Sequence, residues 1–136
     1  MKRHPKLLEL SREHHGALKL ALECKRSVEG GNEEEMMVLA QRIVALFETE
    51  LEPHFQEEEL DLLPLLAASG ERELVTRTLD DHQVLRNWVK RLAVAQRGDS
   101  EALSAFGVKL AEHVRFEERE LFEQAQGCLD LDEPRG

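Results

Sequence analysis

The chain carries one pattern twice, and that repetition constrains its fold more than any other feature. The first copy reads Leu51-x-x-His54-x-x-x-Glu58-Glu59-x-x-Leu62, the second Leu110-x-x-His113-x-x-x-Glu117-Glu118-x-x-Leu121. Residues four apart lie one above the other on an α-helix. Each copy therefore projects an imidazole and a carboxylate from the stripe that also carries leucine, and such a stripe faces a core. A buried carboxylate is costly unless it is paired, hydrogen-bonded or bound to a metal. Two copies on two helices read as two halves of one metal site.

The rest of the sequence favours helices throughout. Leu, Ala, Glu, Arg and Lys dominate, Tyr is absent, and few β-branched or aromatic runs alternate with period two. A length of 136 residues suits one domain with a real core. Gly30-Gly31-Asn32, Ser69-Gly70 and Gly98-Asp99-Ser100 punctuate the chain, with Asn32 and Glu35 at capping-box spacing. They delimit helical segments at about residues 6–29, 33–68, 71–97 and 101–126. Short connections make sequential helices antiparallel. The predicted fold is all-α: an up-down-up-down antiparallel four-helix bundle over residues 1–126, then a short polar tail over 127–136. Pro53 lies inside the second segment and predicts a kink. Pro64 predicts a boundary near Leu63.

Charge and cysteine usage narrow the partners. A net charge of −10 argues against nucleic acid, whose phosphates need basic patches, and against an anionic membrane surface. No apolar stretch is long enough to span a membrane. The basic start Met1-Lys2-Arg3-His4-Pro5 leads into Glu9, Arg12 and Glu13 rather than a signal-peptide core. Cys24 and Cys128 form no C-x-x-C pair, which suits a reducing cytoplasm.

Two further helices contribute histidines. The third segment carries His82 on the stripe Val75, Leu79, Leu85, Val89. The first carries His14 and His15, and neighbours on a helix point about 100° apart, so one of them faces inward. The stripe Leu7, Leu10, Ala17, Ala21 selects His14, whereas Leu8, Leu18, Leu22 selects His15. His82 is followed at +3, +4 and +7 by Leu85, Arg86 and Val89, and His15 by Leu18, Lys19 and Leu22. That match favours His15, with His14 as the alternative. The expected metal ligands are His15, His54, Glu58, His82, His113 and Glu117. Four imidazoles and two carboxylates without a thiolate suit iron or manganese, with zinc less favoured. Two carboxylates can bridge two ions. A single His–Glu pair is ordinarily a surface hydrogen bond, but two pairs with matching apolar flanks argue for an inward site. Glu57, Glu59 and Glu118 read as solvated faces. For Glu59 and Glu118 the alternative is a role in holding ligand histidines from behind.

With these residues assembled, the chain resembles a hemerythrin-like (HHE cation-binding) domain over nearly its whole length. The resemblance rests on Glu13-His14-His15-Gly16-Ala17-Leu18, His54-Phe55-Gln56-Glu57-Glu58-Glu59, Asp81-His82 and His113-Val114-Arg115-Phe116-Glu117-Glu118, with Pro64 ten residues after His54. It implies a non-haem di-iron centre that binds or senses oxygen, nitric oxide or peroxide, or handles iron. Oxygen-carrying members supply two histidines, four apart, from the third helix. Here Arg86 and Thr78 stand at those spacings from His82. The resemblance therefore points to sensing, redox or iron handling rather than reversible oxygen carriage. The alternatives are a weak redox enzyme at the same centre, consuming peroxide or nitric oxide, and a metal-free interaction bundle. A ferritin-like oxidase would place Glu three residues before each histidine, where Leu51, Leu79 and Leu110 stand. No catalytic residue is assigned, and the expected assembly is a monomer or homodimer.

Overall fold

The structure, a computed structural model, describes residues 3–132. Four helices form the bundle: α1 (Pro5–Gly30), α2 (residues 33–68), α3 (Arg72–Ala93) and α4 (residues 100–132). They alternate in direction, and no strand occurs among the described residues, so the fold is an all-α up-down-up-down bundle. Gly31 closes α1 at φ 67, donating its N–H to the Ser27 carbonyl. Asn32 Oδ1 accepts the Glu35 N–H at 2.9 Å, and Asp99 Oδ1 accepts that of Ala102 at 3.0 Å, so both following helices are capped.

Two boundaries differ from the sequence expectation. α3 stops at Ala93 rather than near residue 97, because the next apolar residue, Val94, is 77 % exposed and rewards no further turn. α4 runs past Gly127 to Asp132 and buries Leu129 against the core. The polar tail expected over 127–136 is thus helix as far as Asp132, and residues 133–136 lie outside the described residues.

Pro53 and Pro64 do not interrupt α2. Each follows a widened π-helical turn, Phe47–Leu51 or Glu58–Leu62, in which an N–H reaches five residues back: Glu52 to the Phe47 carbonyl, Leu63 to that of Glu58. Proline lacks an N–H and its ring needs room in the preceding turn, and the inserted residue supplies that room. At Pro53, where a kink is expected, the helix continues through a widened turn, and the boundary expected near Leu63 is a change of pitch within a helix that runs on to Ala68. α4 has the same turn at Glu117–Leu121 without any proline. In both copies of the repeat the π-turn begins at the carboxylate four residues after histidine, and Leu62 and Leu121 still reach the core.

The core lies in two apolar layers. One gathers Leu20, Ile43, Phe55, Leu85, Leu103 and Phe106, and the other Leu7, Leu10, Leu62, Leu66, Leu121 and Phe122. Each such side chain contributes about 1.5–3 kcal/mol on burial. α1 and α4 approach closely at Gly107, where a Cβ would sit 2.8 Å from that of Cys24. Among the described residues no helix is long and apolar enough to cross a membrane.

Candidate metal centre

Between the two apolar layers the bundle interior turns polar. His14 from α1, His54 and Glu58 from α2, His82 from α3, and His113 and Glu117 from α4 converge there, none more than 4 % exposed. Their ligand atoms form two groups, each with all atoms within 4.8 Å of one another. One is His14, His54, Glu58, Glu117, and the other Glu58, His82, His113, Glu117. Both carboxylates belong to both groups.

His15 is not among them. It is exposed, and His14 occupies the inward position expected of it. The apolar stripe that selected His15 is the outward one, with Leu8 36 %, Leu18 38 % and Leu22 44 % exposed. The match to His82 misled because Leu85 is buried at +3 whereas Leu18 is not. A longer look at α1 favours His14: Leu10, His14, Ala17, Ala21 and Cys24 alternate spacings of four and three, and all are buried. The other five expected residues are brought together.

Each imidazole lies between an inner and an outer carboxylate. On the inner side, His82 Nε2 is 3.0 Å from Glu58 Oε1, and His14 Nε2 is 2.8 Å from Glu117 Oε1. His54 Nε2 lies 3.3 Å from Glu58 Oε2, and His113 Nε2 lies 3.2 Å from Glu117 Oε2. On the outer side, Nδ1 of His14 meets Glu118 at 2.8 Å, Nδ1 of His82 meets Glu59 at 2.7 Å, and Nδ1 of His113 meets Asp81 at 2.9 Å. Nδ1 of His54 is 3.3 Å from Glu13, without hydrogen-bond alignment. Such outer contacts fix ring orientation and tautomer. Glu59 and Glu118 therefore hold histidines from behind rather than facing solvent alone. Cations back three of the four outer carboxylates: Arg3 pairs with Glu118, Arg86 with Glu59 at 2.9 Å, and Lys109 with Asp81 at 2.7 Å. Arg86 also forks onto Glu52. Phe55 stacks on His82 with ring centres 4.0 Å apart, and Phe122 stacks on His14 at 5.3 Å.

Sequence reasoning assigned no role to Asp81 or Glu13. Asp81 had a signal: it lies on the buried stripe Thr78, Asp81, Leu85, Leu92 of α3. Glu13 is an exposed residue on α1, and nothing in its spacing marks it.

Charge inside the centre is balanced by protons. Burial alone would push the imidazoles down, but the Glu117 and Glu58 carboxylates hold His54 up to about 11. Burial is likewise outweighed at His113, which Glu117 and Asp81 hold up to about 10. Burial and the neighbouring Glu117 raise Glu58. Burial would raise Glu117 too, but the His113 charge 3.2 Å away and the close approach of Glu58 and His14 hold it well below the usual carboxylate range. Even so, Glu58 Oε2, Glu117 Oε2 and His113 Nε2 are buried without a hydrogen-bond partner. Leaving such atoms unpaired costs about 1–3 kcal/mol each. Converging nitrogen and oxygen atoms without partners, and no thiolate, fit a transition-metal cation that takes the place of the imidazole protons. A cavity of about 390 Å³ runs from solvent beside Glu13 to His14, His54, His113 and Glu117.

The family model described as the hemerythrin HHE cation binding domain matches residues 7–125. No curated protein and no solved structure matches the chain.

Proposed function

The chain belongs to the hemerythrin HHE cation-binding domain family, and on that premise we propose that it is a non-haem di-iron protein that binds or senses oxygen, nitric oxide or peroxide. The observation that carries this reading is the pair of four-ligand groups sharing Glu58 and Glu117. His14 and His54 would hold one ion, His82 and His113 the other, with both carboxylates common to the two. Iron, when bound, supplies a redox-active centre with positions left for a small ligand. The protein's own part is to orient the imidazoles through Glu118, Glu59 and Asp81, to exclude bulk water with the two apolar layers, and to release the protons that a metal displaces. Two unpaired cysteines and an acidic surface support a cytoplasmic setting.

Arg86 shapes the expected chemistry. It stands where a fifth histidine would make the two ions unequal, and instead it anchors Glu59 and Glu52. Each ion would then be held by two imidazoles and the two shared carboxylates. We expect the reduced protein to oxidise in air without reversible oxygen uptake, while nitric oxide or azide binds.

Metal analysis with optical spectra of the oxidised and reduced protein tests the proposal. Two irons per chain, with near-ultraviolet bands that disappear on reduction, are expected. Stoichiometric zinc with a featureless spectrum would overturn it, and oxygen uptake that reverses under vacuum would overturn the part assigned to Arg86. The metal-free protein should stay helical and melt at lower temperature, because linkage adds about 2.7 kcal/mol at a hundredfold excess of ligand over Kd.

A further inference from the structure

Gly16 sits inside α1, two residues after His14. Glycine weakens a helix relative to alanine, so its presence there needs a reason. Conformation does not supply one, since its φ is not positive. Packing does not either, because a Cβ at Gly16 would meet nothing within 4 Å, unlike one at Gly107. Gly16 instead lines the cavity that reaches the buried centre. At its outer end stand the exposed Arg12, Glu13 and Gly16 of α1, with Glu50 of α2 opposite, and at its inner end are His54 and Glu117.

Two observations give this passage a chemical direction. The Nδ1 of His54, a residue 4 % exposed, lines the cavity without a hydrogen-bond partner, 3.3 Å from a Glu13 carboxylate that is itself 41 % exposed. The other three outer carboxylates each carry a cation behind them, Arg3, Arg86 or Lys109. At those three places the carboxylate's charge is already balanced and offers little attraction to an approaching cation. Only on the Glu13 side does an outer carboxylate lead from solvent to the centre with no lysine or arginine paired to it among the described residues, and Glu50 adds a second negative charge against the single guanidinium of Arg12.

We propose that this cavity is the loading route for the centre's divalent cations, kept open by Gly16 and made attractive at its mouth by Glu13 and Glu50. The inference rests on the metal-centre reading above, and its test separates the two. Metal-free protein is mixed with Co(II), whose visible absorption reports occupancy of a nitrogen–oxygen site, and loading and release rates are followed by stopped flow. Gly16→Leu adds a branched side chain at the mouth, where its Cβ meets nothing within 4 Å. It should slow loading and release together, by about tenfold or more if a conformational step then has to open the route, with Kd unchanged. Gly16→Ala strengthens the helix equally but is too short to obstruct, and should load at the wild-type rate. Glu13→Gln/Glu50→Gln should slow loading severalfold and flatten its salt dependence, and Arg12→Gln should speed it, as electrostatic steering requires. Wild-type loading by Gly16→Leu, or equal slowing by Gly16→Ala, would overturn the route. Failure of the wild-type protein itself to take up Co(II) would instead overturn the metal-centre reading.

Discussion

The two halves of the centre use the same motif and end up differently held. At His82 and His113 the outer carboxylates are Glu59 and Asp81, both in hydrogen-bond contact and both backed by a cation. Phe55 stacks on His82, and Arg86 spans Glu59 and Glu52 over this side. At His14 and His54 the support is uneven. His14 is anchored through Glu118 and Arg3, while His54 has only the half-exposed Glu13 and faces the cavity. In one half both imidazoles are anchored from behind; in the other only His14 is, and the cavity that touches His14 and His54 reaches across to His113 but not to His82. An identical first set of ligands therefore does not make two equal sites, since orientation and access come from residues that lie outside the motif.

The strongest way to break this comparison is to remove what the halves share. Glu58→Gln and Glu117→Gln should each cost at least one ion per chain by elemental analysis, because each carboxylate serves both groups. Full occupancy in both variants would show that the carboxylates are not shared ligands.

The next test sharpens the difference between the halves. Asp81→Asn removes the charged partner of His113 and should weaken metal affinity by about 10–100-fold. Glu13→Gln should change equilibrium affinity only a few-fold, because the His54 contact is not an aligned hydrogen bond. Equal losses in competitive metal titrations would show that the halves are held alike.

Protons offer a third measurement. His54 and His113 are raised from 6.5 to about 11 and about 10 in the metal-free protein. A raised imidazole stabilises the fold while protonated, so that stability is complete below 6.5 and is lost as pH climbs through 10 and 11. Melting temperatures of chelated protein should therefore fall over this alkaline window. The loaded protein should show the opposite slope on the acid side, gaining stability as pH rises towards neutrality, because binding a metal expels those protons. Parallel slopes in the two forms would refute the exchange of protons for metal.

The smallest expected effect is none at all. His15→Ala should leave metal content and melting temperature unchanged, since that side chain lies outside the centre. His14→Ala should lose the ion that it would hold with His54. Metal loss in the first variant and not the second would reverse the placement of the two histidines.

Much of this molecule could be read from its residues, for a physical reason. Helix periodicity is a local property, so the repeat alone placed His54 with Glu58 and His113 with Glu117, and the glycine and Asn or Asp breaks marked most of the helix ends. The third-helix stripe through Leu85 and Val89 was enough to turn His82 inward. What local pattern could not decide was which of two apolar stripes on α1 the rest of the bundle would cover. Leu8, Leu18 and Leu22 are as hydrophobic as Leu7, Leu10 and Ala17, and only the positions of α2 and α4 bury the second set and with it His14. The same holds for Asp81 and Glu13, which become partners of His113 and His54 across helix boundaries that no spacing within one helix describes. The prolines of α2 likewise announced a disturbance, and the structure meets it with π-turns that leave Glu58 and Leu62 both buried. Sequence determined which residues share a face of each helix; tertiary packing decided which face is inside, because burial depends on what stands opposite.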